Sequence, residues 1–229
     1  MRTLVVAAHP DDEVLGAGAT IASLADAGGE VTVLIVAEGV SLRHEGVTLR
    51  AAQDNCLRAG EKLGVRNVRF GGFSQDGVLI ADGPQRDVVS LIERTLRDVR
   101  PELVLTHHPG DIHADHRLVS QSISYATRLL GAGPVRRVLH FEVLSSTEQQ
   151  TGLVAPFLPN VFTDVSGFVD AKCEALEVYH YEVFDGAHPR SASAVRALAQ
   201  YRGVQAGVAQ AEAFALSRQL LSAKEAEAR

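Results

Sequence analysis

The stretch TLVVAAHPDDEVLGAGATIASLADAGG, residues 3–29, decides the fold class. Its apolar residues 3–8 predict a buried strand, and residues 14–27 predict a helix that ends at Gly28 and Gly29. Between the two lies the polar run HPDDE, at the carboxyl end of the strand. In open α/β sheets the loops at the carboxyl ends of the strands line the ligand crevice. The polar run is therefore a candidate site.

The same alternation of strand and helix continues along the chain. Apolar runs predict strands at residues 31–37, 67–70, 103–106 and 138–143, and longer stretches predict helices at 48–63, 86–99 and 116–130. Such alternation indicates βαβ units and a mainly parallel sheet with right-handed crossovers. We therefore expect an α/β fold, specifically a Rossmann-like three-layer sandwich.

The pattern changes after residue 144. Residues 145–160 are polar and contain Gly152, Pro156 and Pro159, which predicts a long loop that could overhang a site. A strand at 161–165 and a helix at 171–181 follow, and the alanine-rich tail from Ser191 predicts two packed helices. Neither an internal repeat nor a linker divides the sequence. We therefore expect one domain over residues 1–229, with a C-terminal helical elaboration.

Composition excludes several classes of protein. Lys and Arg number 22 against 28 Asp and Glu, and this net charge of −6 argues against nucleic acid or an acidic membrane as a partner. No segment reaches the roughly 18 apolar residues that span a bilayer, and the N-terminus is too short in apolar residues for a signal peptide, so we expect a cytoplasmic protein. Two cysteines provide neither a disulfide framework nor a cysteine-based zinc site, whereas nine histidines hint at metal chemistry.

The first polar cluster, after the first strand, combines His9 with Asp11 and Asp12. Acidic residues in a first helical turn are often simple caps that complement the helix dipole. An imidazole beside two carboxylates, however, suits a divalent metal. A mononucleotide-binding loop does not fit, because the glycines come after the acids and carboxylates would repel phosphate.

The second polar cluster, HHPGDIHADH at residues 107–116, follows the strand at 103–106. His113 and His116 are three residues apart and would share one side of a helical turn, while Asp115 could fix the tautomer of an imidazole. The alternative is a solvated loop with an ordinary aspartate cap. Taken with the first cluster, a His₂Asp site of His9, Asp12 and His116 would have open positions for water and substrate, as catalytic metal sites do.

The motifs AHPDDEVLGAGAT at residues 8–20 and HADH at 113–116, together with HPRS at 188–191 and AEAF at 211–214, carry a family resemblance. The chain resembles the PIG-L / LmbE-like family of zinc-dependent N-acetylglucosamine deacetylases. The resemblance implies that the metal ligands are His9, Asp12 and His116, that Asp11 is the general base, and that His113 stabilises the oxyanion or acts as acid. It also implies that Asp115 orients His113 and keeps it charged. The substrate contacts that it implies are Arg50, Asp76, His188 and Arg190.

The resemblance implies a function as well. We expect a hydrolase that uses Zn²⁺, or Fe²⁺ or another divalent metal, to remove the acetyl group from an N-acetylglucosamine-type sugar or its conjugate. That substrate is the expected partner, without nucleic acid or a membrane span, and a homo-oligomer is plausible. Two alternatives stay open: a non-haem iron enzyme, which uses the same His₂-carboxylate ligands, and a non-catalytic sugar-binding module.

Overall fold

The structure, a computed structural model, describes residues 1–38, 46–73, 79–128, 135–150, 152 and 154–221. Strands and helices alternate through most of this chain. The strands are β1 (Arg2–Ala7), β2 (Glu30–Ala37), β3 (Asn67–Phe73), β4 (Leu103–His107), β5 (Arg137–Phe141), β6 (Val161–Asp164) and β7 (Ala211–Gln219). The helices are α1 (Asp12–Asp26), α2 (Leu49–Lys62), α3 (Gln85–Val99), α4 (Ala114–Ala126), α5 (Val169–Glu177) and α6 (Ala192–Ala206).

One sheet organises the molecule, in the strand order β3-β2-β1-β4-β5-β7-β6. The first five strands in this order are parallel, and β7 runs antiparallel to both β5 and β6. The chain order reverses direction between β1 and β4, which makes this pair the switch point where open α/β sheets bind ligands. The expected α/β fold with a mainly parallel sheet is confirmed.

Apolar side chains cover both faces of the sheet, which is why its central strands are continuous apolar runs. On β1, Val5 and Ala7 belong to a core shared with α1, α2, α5 and α6, whereas Leu4 and Val6 belong to a core shared with α3 and α4. The alternation follows from the two-residue period of a strand. These helices form the outer layers of the sandwich. None of the helices in the described ranges is long and apolar enough to cross a membrane.

The C-terminal tail differs from the prediction of two helices. α6 starts at its cap Ser191, whose side chain accepts from the Ala194 amide, and ends at Gly207 in the left-handed conformation with φ 76°. The next segment is the strand β7, inserted between β5 and β6. Alanine favours helix, but pairing with two strands and the complete burial of Phe214 outweigh that weak preference. The expected second helix is therefore wrong.

Candidate metal and catalytic site

Two loops form the site, one after β1 and one after β4. The two strands pair in parallel, with Val6 opposite Thr106, so their carboxyl ends meet at one edge of the sheet. His9 lies between β1 and α1, and residues 108–113 connect β4 to α4. Parallel pairing at the switch point is thus what brings together two clusters that lie about a hundred residues apart in the sequence.

Two of the predicted metal ligands, His9 and His116, lie beside one carboxylate oxygen of the third, Asp12. Asp12 Oδ2 lies 3.4 Å from His9 Nδ1 and 3.2 Å from His116 Nε2. The His9 backbone amide donates to the same oxygen at 2.9 Å, which fixes the carboxylate. Ligand atoms at zinc distances from a tetrahedral centre lie about 3.3 Å apart, so both measured separations fit a shared first-row divalent cation. The Asp12 carboxylate could therefore share such an ion with either imidazole.

The electrostatics of the trio match a site for a cation. Burial alone would raise the pKa of Asp12, but the charges of His116 and His107 hold it well below its usual range. Burial would lower the pKa of His9 and His116; instead, their aspartate partners raise these pKa values to about 9 and about 10. In the absence of a metal, protons on the imidazoles supply the positive charge that the buried carboxylate requires. A metal ion would displace those protons.

His107 is a neighbour of this trio, and its Nε2 atom already accepts a hydrogen bond. Among the described residues, two groups of three have potential ligand atoms that all lie within 4.8 Å of one another: Asp12, His107 and His116, and His9, His113 and His116. However, His107 Nε2 accepts the Ala8 amide at 2.8 Å and lies 3.6 Å from Asp12. Its ring stacks on His116, with the centroids 4.0 Å apart. This arrangement favours a supporting position for His107 behind the trio.

Asp111 lies on the other side of His116 and was not among the predicted site residues. Its Oδ1 is 3.3 Å from His116 Nδ1, which orients the ring so that Nε2 faces Asp12. Ser146 and Thr147 donate hydrogen bonds to the Asp111 carboxylate. Burial would raise the pKa of Asp111, but His116 and the two hydroxyls hold it below its usual range. From the sequence alone Asp111 could equally be an ordinary cap residue, and His116, five residues later, was the available signal for a role at the site.

Asp115 contacts a different imidazole from the one predicted. Its Oδ2 lies 2.9 Å from His9 Nε2, and its Oδ1 accepts the Ala81 amide at 2.9 Å. The carboxylate therefore orients His9, and the prediction that it orients His113 is wrong for the side chain. The backbone of Asp115 reaches His113 instead: its amide donates to His113 Nδ1 at 3.2 Å, as in a helix cap. With Nδ1 accepting, a neutral His113 carries its proton on Nε2.

The predicted positive charge on His113 is not supported either. Burial lowers its pKa, and the charges of His116 and His9 lower it further, to about 4. Nearby carboxylates do not outweigh these effects. The ring of His113 lies 4.8 Å from that of His9 and 4.7 Å from that of His116, measured between centroids. His9 and His113 are both partly exposed, so they form the open side of the site.

Asp11 stands beside the trio in a strained backbone conformation. Its φ is 98°, in the left-handed region that non-glycine residues rarely adopt, and its side chain is buried. The Glu13 carboxylate accepts the Asp11 amide at 3.1 Å, and Arg190 Nη1 donates to Asp11 Oδ2 at 2.8 Å. Burial raises the pKa of Asp11 well above its usual range, although Arg190 opposes this effect. A carboxylate with a raised pKa is suited to accept a proton.

Glu13 and Tyr179 form a buried support for this turn that the predictions did not include. The Tyr179 hydroxyl, on the segment after α5, donates to Glu13 Oε1 at 2.5 Å, while Glu13 Oε2 accepts the Asp11 amide. Burial raises the pKa of Glu13 to about 7, although the hydrogen bond from Tyr179 opposes the change. Glu13 and Tyr179 are 166 residues apart, so no local pattern in the sequence links them.

The predicted substrate contacts have different positions. Arg190 binds Asp11, Glu182 and Ser145, so it holds the Asp11 side chain in place. The His188 ring accepts the Arg190 amide at 3.1 Å. Arg50 lies on the surface of α2 with its side chain 92% exposed, 3.9 Å from Asp54. Asp76 lies outside the residues that the structure describes.

Comparisons with known proteins relate this sequence to de-N-acetylases. The sequence matches the GlcNAc-PI de-N-acetylase (PIG-L) family over residues 4–127. It is 26% identical to the diacetylchitobiose deacetylase of Thermococcus kodakarensis, covering 92% of this chain and 81% of that protein. It is 30% identical to the 1D-myo-inositol 2-acetamido-2-deoxy-alpha-D-glucopyranoside deacetylase of Rhodococcus opacus, covering 80% of this chain and 82% of the relative.

Solved structures share the whole fold. The conserved protein TT1542 of Thermus thermophilus superposes with a TM-score of 0.77 at 25% identity, covering 97% of each chain. The 4-carboxy-2-hydroxymuconate hydratase GalB of Pseudomonas putida superposes with a TM-score of 0.73 at 23% identity, covering 97% of this chain and 98% of its own. The shared fold does not by itself name a reaction, so the site must decide the chemistry.

Proposed function

We propose that this chain, which belongs to the PIG-L family of de-N-acetylases, is a metal-dependent hydrolase of N-acetylated amino sugars. It would remove the acetyl group from an N-acetylglucosamine-type sugar or its conjugate. The matched relatives are named as deacetylases of diacetylchitobiose and of an acetamido-glucoside of inositol, which supports this class of substrate.

The observation that carries the proposal is the division of labour between two adjacent aspartates. Asp12 faces both His9 and His116, whereas Asp11 points to Arg190 and is left out of the trio. A hydrolase needs three ligands that leave coordination positions open, together with a separate base for water. The left-handed backbone at Asp11 is what turns two consecutive carboxylates to different partners.

We assign the metal ligands as His9, Asp12 and His116. The two interligand separations and the His₂Asp donor set fit Zn²⁺, which we propose as the native metal, with Fe²⁺ as the main rival. When bound, the metal would lower the pKa of a water molecule and polarise the acyl oxygen of the substrate. Asp111 and Asp115 orient the two imidazoles for this task.

The remaining groups handle protons and developing charge. Asp11 takes a proton from the attacking water; because Arg190 holds Oδ2, we assign Oδ1 as the acceptor. The Nε2–H of neutral His113 donates to the acyl oxygen as negative charge develops there. Asp11 then returns the proton to the nitrogen as the C–N bond breaks. The products are the free amino sugar and acetic acid, which releases its proton to give acetate, so the one water consumed is accounted for.

An acetate-release assay tests the proposal. The purified protein is incubated with N-acetylglucosamine, diacetylchitobiose and a GlcNAc–inositol glycoside, and acetate is measured with and without a chelator. We expect release from at least one of these substrates, its loss on chelation and its recovery on addition of Zn²⁺. Failure to release acetate from any of them, with the metal bound at one equivalent, would contradict the proposal.

The same experiment separates the alternatives. A non-haem iron enzyme would be active only with Fe²⁺ under anaerobic purification and would consume dioxygen. Asp11 weighs against that alternative, since hydrolysis needs such a base and dioxygen chemistry does not. A non-catalytic sugar-binding module would bind the sugars in calorimetry without releasing acetate.

A further inference from the structure

Helix α1 is interrupted one turn after the acidic residues of the site. Ala17 has φ −147° and ψ 17°, far from helical values, so α1 consists of a short first turn and a longer second part. Gly16 lies at the break, where a Cβ atom would come within 2.3 Å of the Phe141 ring at the end of β5. Only glycine permits this close approach. We call residues 11–16 the acidic turn.

A buried ion pair occupies the gap in the helix. In a continuous helix the Ala19 amide would donate to the Leu15 carbonyl, four residues earlier. Here the Leu15 carbonyl accepts from Lys172 Nζ at 2.8 Å, and the Ala19 amide donates to Glu212 Oε1 at 3.1 Å. Lys172 and Glu212 are 2.6 Å apart, so a chain of three contacts links the Ala19 amide to the Leu15 carbonyl.

The second carboxylate oxygen extends the bridge. Glu212 Oε2 accepts the Thr20 amide at 2.7 Å, so the carboxylate caps the second part of the helix. Lys172 comes from α5 and Glu212 from β7, and their exposed fractions are only 5% and 6%. Burying two charges is costly unless they are paired and fully hydrogen-bonded, and here backbone groups of α1 supply the additional bonds. A side chain inserted into the backbone ladder is a recognised cause of a helix break.

From this arrangement we infer that Lys172 and Glu212 are positioning residues for the reaction: they set the direction of the acidic turn and thereby hold Asp12 against His116 and Asp11 against Arg190. The inference rests on the proposed function for its catalytic part. Neither residue lies within 4–127, the segment that matches the family, so the pair links the C-terminal elements to the acids of the family motif.

Variants that remove the charges together test this role, because they leave no unpaired buried ion. Lys172→Met/Glu212→Leu abolishes the bridge, whereas Lys172→Met/Glu212→Gln keeps one oxygen, which can accept the Ala19 or the Thr20 amide, and loses the contact to the Leu15 carbonyl. The matched control is Lys62→Met/Glu174→Gln, because this exposed pair joins α2 to α5 at 3.5 Å without touching α1. For each variant we would measure the Kd for Zn²⁺ by competition with a chromophoric chelator, kcat and KM for acetate release, and hydrogen exchange of the Ala19 and Thr20 amides.

We expect the Met/Leu variant to bind Zn²⁺ at least tenfold more weakly and to lose at least tenfold in kcat. Its KM should stay within threefold, and both amides should exchange faster. The Met/Gln variant should lie between the Met/Leu variant and the wild type in Kd and kcat, because it keeps one of the three contacts to α1. The control should match the wild type. A merely structural pair would lower thermal stability without changing the Kd of the folded protein.

Three outcomes would overturn the inference. One is a folded Met/Leu variant with wild-type Kd and kcat; another is a Met/Gln variant as impaired as Met/Leu. If Met/Leu does not fold, Glu212→Asp replaces it in the test, because this substitution keeps the charge but withdraws the carboxylate by one methylene group. The third outcome is a folded Glu212→Asp variant with wild-type Kd and kcat. The Kd needs no substrate, so a wild type that released no acetate would contradict the proposed function while the Kd comparison still decided the inference.

Discussion

Replacing Asp11 with asparagine is the sharpest test of the division of labour between the two aspartates. Asparagine has the same shape and removes only the capacity to accept a proton. It also tolerates the left-handed backbone at this position better than alanine would, since asparagine is one of the few residues that visit that region. The amide oxygen can still accept from Arg190, which keeps its second partner Glu182. The perturbation is therefore confined to proton transfer.

The expected magnitude follows from these contacts. Losing a positioned general base lowers kcat by about 10²- to 10⁴-fold. At 1.36 kcal/mol per tenfold, this is about 3 to 5 kcal/mol of transition-state stabilisation. The change in unfolding free energy should stay below about 2 kcal/mol, because the weakened bond to Arg190 is offset by no longer burying a carboxylate. The two effects are therefore separable.

The assay combines metal content, acetate release and urea unfolding on one preparation. Asp11→Asn should retain one equivalent of metal and wild-type KM within a few-fold, with kcat reduced as above. His116→Ala is the contrasting variant: it removes a ligand and should lose the metal itself. If Asp11→Asn turned over within tenfold of the wild type, the base assignment would be wrong. If it lost its metal, Asp11 would be a ligand and the proposed trio would need revision.

Three further perturbations test other parts of the site. Metal binding should weaken as the pH falls from about 8 to about 6, because a metal must displace protons from two ligand imidazoles with pKa values of about 9 and about 10. A Kd from chelator competition that stays constant over this range would contradict the ligand assignment. Tyr179→Phe should lower the unfolding free energy of the metal-free protein by about 1.5 to 3 kcal/mol above pH 7, where Glu13 is ionised. The loss should be smaller at pH 5.5, because the hydroxyl stabilises the carboxylate form of Glu13. Equal losses in urea titrations at both pH values would argue against Glu13 as the partner of Tyr179. Gly16→Ala should lower the unfolding free energy by about 1 to 3 kcal/mol through overpacking against Phe141, and Phe141→Leu should relieve part of that loss. Additive effects in the double-mutant cycle would show that the two residues are not in steric contact.

Much of the fold could be predicted because its signals are local. Apolar runs of strand length alternate with helical stretches. A strand that is buried on both faces can be recognised from its continuous apolar run alone, without knowledge of the strands it pairs with. The polar residues after β1 and β4 were equally visible, since they follow those strands directly. Parallel strands then bring their carboxyl ends to one edge, which is how His9 and His116 could be expected in one site before any contact was known.

The C-terminal strand marks the limit of local signals in the fold. The segment AEAFALSRQ is rich in alanine, and alanine predicts helix. Its strand conformation comes from hydrogen bonding to β5 on one side and β6 on the other, which are distant in the sequence. Propensity differences are a few tenths of a kcal/mol per residue, so tertiary pairing and burial decide such a segment.

The sequence by itself determined which loops carry the imidazoles and carboxylates, and at which end of the sheet those loops lie. Only the tertiary structure decided the partners. Asp115 orients His9, Asp111 stands behind His116, Arg190 holds Asp11, and a lysine and a glutamate from later elements bridge the break in α1. The physical reason is range. Secondary structure and loop position follow from neighbours within a few residues, whereas a hydrogen bond depends on atoms placed to within a few tenths of an ångström by packing across the whole chain.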